Sequence, residues 1–366
     1  MLRQETIKKW MKGSNKNNLE KAYFYLEWDS KLPTISSWYH KLPKNVKWKK
    51  VIKVGYREIT LCSSFIPLEK KFVINEDLKS YHSFLISHLQ KAVRRNKKVA
   101  SIYTADILLE LNPVKLLRRI PIIIIEDTQI HESLPTLVWL MCLISDNKHQ
   151  LTKTHKKWIL GVVYILTIST YKEVYDINDE WIFSKKISKI HNIKNTKLQD
   201  IIYSLETRNC YGGMKGDSLM IESFQNIYLQ RYLLNDINNK YESFFYEKIR
   251  PIMTKTIKFN RKQFLLEGYD FHCNSSLPYI LECEFPEYNI EEYKTAIWNK
   301  SSSINNRTLI KFIDKKNIFV ITKDKFIPNY ITTIWNKVRS FVRKKAWGFI
   351  QMMSNDLEHY KLLKSS

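Results

Sequence analysis

Glycine is scarce in this chain: there are eight in 366 residues, and only Gly13 and Gly55 precede residue 160. A phosphate loop written GxxxxGK followed by Ser or Thr needs glycine amides and its lysine to cradle phosphates, and no such string occurs. A P-loop ATPase is therefore not expected. The five cysteines, Cys62, Cys142, Cys210, Cys273 and Cys283, are scattered and form no CxxC pair. Neither a disulfide framework nor a zinc ribbon is indicated, and reduced thiols in an intracellular compartment fit best. No serine lies in a GxSxG turn, so nucleophilic catalysis has no local signature. Long apolar runs are also missing. The longest, 158–168, falls short of the roughly 20 residues that cross a bilayer, and the first residues lack the apolar core of a secretory signal. A soluble, intracellular protein is expected, with nuclear, nucleoid and viral-factory locations equally compatible.

Acids are outnumbered as well, 36 against 60 Lys plus Arg, which gives a formal charge of +24. Part of that excess reflects a composition rich in Lys, Asn and Ile, as an AT-rich genome would produce. The remainder is a field that attracts phosphates, on nucleic acid or on an anionic membrane. Apolar residues make up 44% of the chain and aromatics 13%, enough to build real cores and to exclude a mainly disordered protein.

The patterning predicts a mainly α, multi-helical fold with small β elements in the flanking regions. Four regions are expected: a basic module with some β-structure over 1–75, a helical domain over 76–178, a helical region with a glycine-containing turn over 179–250, and a mixed region over 251–366. In the first, Lys47, Trp48, Lys49 and Lys50 belong to a basic, aromatic-interleaved string, and Val51 to Leu61 partly alternates like a strand with Gly55 inside. In the second, Phe84, Leu85, His88, Leu89, Ala92 and Val93 keep helical spacing. In the last, Ile331, Ile334, Trp335, Val338, Phe341 and Val342 form a helical stripe beside Arg343, Lys344 and Lys345.

Three constellations are chemically suggestive. The string at 120–127 is an apolar run closed by Glu126 and Asp127, as in a strand that holds magnesium, but without its phosphate loop the two acids are better read as bracing helices. Gly212, Gly213 and Gly216 surround Lys215, with Arg208 nearby; this is either a phosphate-gripping loop or a tight interhelical turn, and turn chemistry favours the second. Asp270, His272, Cys273, Glu282 and Cys283 include metal-ligand types without familiar spacing. No cofactor is expected, and a divalent metal enters only if the chain is an enzyme acting on nucleic acid or nucleotides. The basic clusters are the stronger signal. Lys47, Lys49, Lys50, Arg94, Arg95, Lys97, Lys98, Arg343, Lys344 and Lys345 are candidate phosphate contacts, and Trp48 is a candidate for base stacking.

Ala92, Val93, Arg94, Ala100, Tyr103, Ala105, Leu108, Leu109, Glu110, Pro113, Leu117, Arg118 and Arg119, followed by Glu126 and Asp127, resemble the C-terminal helical region of the MgsA/RarA replication-associated recombination ATPases over about 81–175. That resemblance implies a clamp-loader-collar-like bundle, oligomerisation and replication-fork association, with Arg118 and Arg119 pairing with Glu126, Asp127 or a second subunit. The family's ATPase module has no counterpart here. The expected function is a non-ATPase nucleic-acid-binding accessory of DNA replication, recombination or repair, whose partners are nucleic acid, DNA foremost, and replication or repair proteins. A metal-dependent enzyme and a scaffold for acidic partners are the competing expectations.

Overall fold

The computed structural model describes residues 22–29, 35–55, 57–174, 196–233, 249–252, 261–314, 317–321 and 327–360. The expected leader-free start and the domain boundary at 178/179 lie outside them. The described residues are mainly helical, with a few small sheets.

Strands β1 (Ala22–Glu27), β2 (Ile35–Tyr39), β3 (Trp48–Val54) and β4 (Arg57–Ser63) form a sheet in the order β2-β1-β4-β3. The stretch read as one strand is a hairpin, because Gly55 takes φ +60° and turns β3 antiparallel onto β4. Strand β1 runs parallel to β4. One face carries Phe24, Leu26, Ile59 and Leu61, all buried. A two-stranded ladder pairs β5 (Leu68–Glu69) with β6 (His149–Gln150).

Helices α1 (His82–Arg94), α2 (Lys98–Leu111), α3 (Pro113–Asp127), α4 (Leu134–Ile144) and α5 (Lys153–Ile168) follow. Pro113 opens α3, where a missing N–H costs nothing, and the Asn112 side chain caps it by accepting from the Lys115 amide. The apolar run at 120–127 is therefore helical and not a strand, with Pro121 inside α3 and Ile120, Ile122, Ile123, Ile124 and Ile125 all buried. Helix α4 is buried on every side, and Trp139 donates to the Phe24 carbonyl at 2.9 Å. This bond ties the sheet to the bundle. Helices α6 (Thr196–Cys210) and α7 (Lys215–Leu233) continue the body, and the Trp38 amide donates to Asp200 of α6 at 2.7 Å.

The C-terminal part adds α8 (Leu277–Glu284), α9 (Ile290–Ile297), a π-helical turn at Trp298–Ser302, and α10 (Asn329–His359). Strand β7 (Tyr171–Glu173) pairs with β8 (Thr308–Asp314), which pairs with β9 (Asn317–Ile321). One continuous core joins these parts, from Phe24 in β1 to Leu357 in α10.

Gly161 shows how closely α5 is packed. A Cβ there would overlap the Arg250 carbonyl oxygen and stand 3.1 Å from Ile249 Cγ2. Gly161→Ala is expected to destabilise the chain by about 2–3 kcal/mol through overpacking. Urea unfolding measures it, and a change below about 0.5 kcal/mol would contradict this packing.

Candidate nucleic-acid interface

The cations at the end of α1 are arranged for packing. Lys91 and Arg94 lie in its last turn, where the helix dipole favours positive charge, and Arg95 follows. Arg94 is buried; its Nε lies 2.5 Å from Asp127, its Nη2 2.8 Å from Glu126, and its Nη1 donates to the Ser302 carbonyl at 2.7 Å. Burial alone would pull the Arg94 pKa down, but Asp127 and Glu126 overcome it and hold the guanidinium charged. Arg95 lies 3.0 Å from Glu267 and donates to the Ser301 carbonyl. These bonds correct the assignment of Arg94 and Arg95 as phosphate contacts: the Arg94 guanidinium is buried against acids, and both terminal nitrogens of Arg95 are engaged inside the protein. Glu126 and Asp127 do brace helices, through Arg94 and through Gln90, which donates to both.

Asp270 belongs to the same knot. It accepts from Lys91 Nζ and from Ser302 Oγ, each at 2.8 Å. Burial raises its pKa, and the neighbouring Lys91 ammonium more than reverses that. Its carboxylate is thus committed to an ion pair, while His272 is exposed beside Phe271 and Trp298. Burial pushes the Cys273 thiol up to about 11. Among the described residues no group of three His, Cys, Asp or Glu side chains is placed to hold a metal.

Lys97 and Lys98 are exposed, as expected for ligand contacts. They begin α2, with Lys97 in the N-cap position, no side-chain cap and no acid in the first turn. Two cations at the positive end of a helix repel its dipole, an arrangement that an external anion relieves.

Strand β3 alternates. Lys49, Val51 and Lys53 are exposed, while Trp48, Lys50 and Ile52 turn toward the body. Lys50 is paired with Asp146, and Lys47 is exposed just before the strand. Trp48 lies 5.4 Å from His149 and 6.3 Å from Trp139, ring to ring. Its half-buried ring is part of the packing, which corrects its assignment as a base-stacking platform. Lys53 joins the exposed set; two-residue alternation from Lys49 signals it.

Helix α10 is 31 residues long. Ile331, Ile334, Val338, Val342, Ala346, Ile350, Met353 and Leu357 form one buried stripe at helical spacing. The partly buried Trp335, Phe341 and Trp347 pack against the same core, so the apolar side faces protein rather than a bilayer. Arg339, Arg343, Lys344 and Lys345 are left exposed. Lys345 stands 5.2 Å over the Phe341 ring, and none of these four is paired with an acid among the described residues. Arg339 joins the predicted set because it precedes Arg343 by one turn. Lys337, by contrast, pairs with Glu287.

The glycine-rich stretch is the turn between α6 and α7. Gly212 and Gly213 take φ +71° and +152°, values that side chains rarely allow. The amides of Tyr211 and Gly212 are used to end α6, donating to the carbonyls of Arg208 and Asn209. Arg118 Nη2 donates to the Tyr211 carbonyl at 2.7 Å, and the buried Arg208 donates to the Gly212 carbonyl at 2.8 Å. Arg119 Nη1 donates to Gln90 at 3.4 Å, and its Nη2 lies 3.7 Å from Asp217. Arg118 and Arg119 therefore brace this turn and not Glu126 or Asp127. Lys215 and Gly216 are exposed at the start of α7.

No helix among the described residues is long and apolar enough to cross a membrane. Comparison with protein-family models, with curated proteins and with solved structures finds no match to this chain.

Proposed function

We propose that the chain is a nucleic-acid-binding accessory protein of DNA replication, recombination or repair, without ATPase activity, that grips backbone phosphates and organises a complex. The observation that carries this reading is the solvent face of α10, where Arg339, Arg343, Lys344 and Lys345 are exposed along a helix whose apolar stripe is already buried. Long exposed cations that are not paired with acids are suited to neutralising phosphates. The exposed Lys47, Lys49 and Lys53 of the β3 region and Lys97 and Lys98 at the start of α2 extend the same chemistry.

The collar-like part of the proposal rests on 81–175. Arg94 and the Glu126–Asp127 pair are sequence markers of the resemblance, and their buried ion pairs supply a reason for those residue types at those positions. In this reading the bundle is a docking body for replication or repair proteins and the cations hold the nucleic acid.

Anisotropy titrations of labelled single-stranded and duplex DNA and RNA, between about 50 and 200 mM salt, test the proposal. Affinity is expected to fall at least about tenfold over that range. Replacing Lys47, Lys49 and Lys53 by Gln is expected to weaken binding to all sequences alike. Absence of binding at the lowest salt, or binding only to anionic liposomes, would overturn the reading.

A further inference from the structure

The turn between α6 and α7 concentrates charge that the fold does not balance. Arg118, Arg119 and Arg208 act on one another there, and Asp217 is the acid set among them. Among the described residues that act on Arg208, the guanidinium groups, its own included, outnumber the carboxylate by two. Arg208 and Asp217 are buried, and Arg118 and Arg119 are half-buried. Charge this poorly compensated out of water is costly. Burial pulls the Arg208 pKa down to about 10, with repulsion from Arg118 and Arg119 acting in the same direction.

The donors also converge. Arg208 spends Nε on the Arg118 carbonyl and Nη1 on the Gly212 carbonyl, leaving Nη2 outside those bonds. Arg118 Nη2 and Arg208 Nη1 both donate to the Gly212 carbonyl, at 3.2 and 2.8 Å, which brings the two forks together, and Arg119 Nη2 lies 3.7 Å from Asp217 Oδ2, the carboxylate with which an incoming anion would compete. The surrounding space is open, since a Cβ on Gly212 or Gly216 would meet nothing within 4 Å.

Gly216 is the most telling of these. It is the second residue of α7, its φ is not left-handed, and no neighbour crowds it. Glycine within a helix costs about 1 kcal/mol relative to alanine, and nothing in the folded chain requires it here. The first turn of α7 is open to close approach there.

We propose that Arg118, Arg119 and Arg208 form an oxyanion site at the α6–α7 turn, which takes a dianionic phosphate monoester, with Lys215 at its rim. The excess of two charges matches a dianion better than the single charge of a backbone diester. Guanidinium forks suit tetrahedral oxyanions. The site is separate from the cationic face of α10 and does not rest on the nucleic-acid reading.

Thermal unfolding of the full chain in inorganic phosphate, against chloride at equal ionic strength, tests this. The wild type is expected to gain Tm in phosphate along a saturating curve, as a native-state ligand requires. Arg119→Gln is expected to lower Tm in chloride modestly, because Gln90 and Asp217 lose a partner, and to abolish the gain in phosphate. Lys215→Gln, at an exposed position, is expected to weaken the gain severalfold and serves if Arg119→Gln does not fold. Changing Arg343, Lys344 and Lys345 to Gln leaves the gain in place. A 5′-phosphorylated oligonucleotide that competes with phosphate, where its 5′-hydroxyl counterpart does not, would show that the monoester can be a nucleic-acid end; competition by neither assigns free phosphate. No gain beyond chloride in the wild type, or a full gain in Arg119→Gln, overturns the site. So does a loss of Tm in Arg119→Gln that is equal in both buffers, since that is the behaviour of a structural tie.

Discussion

Arg94→Met is expected to lower the free energy of unfolding by about 3–5 kcal/mol, the usual cost of removing one partner from a buried ion pair. Asp127 is completely buried, and without the guanidinium it keeps the Gln90 amide as a donor at 2.9 Å, with Arg307 and Lys172 acting on it only at longer range. Glu126 loses the same partner, and burial together with its acidic neighbour already pushes its pKa up. The Ser302 carbonyl is stranded as well. Because Arg94 connects α1, α3 and the π-helical turn, the loss is spread over segments more than 200 positions apart in sequence. The double variant Arg94→Met with Asp127→Leu is expected to recover part of the loss, since an apolar pair avoids the stranded charge. Urea unfolding of the three proteins measures both terms. An Arg94→Met variant within about 1 kcal/mol of wild type would contradict the structural role given to this arginine.

Acid is expected to unfold the protein well above the range in which carboxylates titrate. Burial pushes the pKa of His88 down to about 3 and those of His82 and His155 down to about 4. All three are neutral when folded, so between about pH 6.5 and 4 the unfolded chain binds more protons at these sites. Stability is fully present above pH 6.5 and is lost as pH falls, by about 1.4 kcal/mol per pH unit for each histidine. Asp200 opposes this: burial raises its pKa to about 7, so the folded state takes up a proton there in the same window and gains stability as pH falls. Glu126, Glu132 and Glu222, whose pKa values burial also raises, act in the same direction as Asp200, so the net loss is smaller than three histidines alone would produce. His82→Leu is the informative variant, because both ring nitrogens are buried without a hydrogen-bond partner. It is expected to add about 1–2 kcal/mol at neutral pH and to flatten the acid slope by about one proton. A stability flat from pH 7 to 4, or a slope unchanged by His82→Leu, would contradict these environments.

Helical elements with clear periodicity were legible in the sequence, and so was the break at Pro113. The apolar stripe of α10 could be placed from Ile331 to Val342, since 3.6-residue spacing is a local property, and the structure continues it to Leu357. The isoleucine run at 120–125 was ambiguous, because a fully buried helix and a buried strand share the same pattern. The acids that close it are held by Gln90 and Arg94, which belong to another helix. The same limit applies to the cations. Arg94 and Arg343 look alike in a basic string, yet one is buried against acids and the other is exposed. Trp48 could be read as part of a basic aromatic string, but the ring it packs against, Trp139, lies across an expected domain boundary in α4. The glycine turn was visible as a cluster, whereas the arrival of Arg118 and Arg119 beside it depends on how α3 packs against α6 and α7.

The most direct test of the central claim is the salt dependence of nucleic-acid affinity for the wild type and for the chain with Arg343, Lys344 and Lys345 changed to Gln. If α10 grips backbone phosphates, the variant folds normally, binds every sequence more weakly, and its slope of log affinity against log salt falls by about two to three. An unchanged slope, with wild-type affinity retained, would remove α10 from the interface and contradict the account.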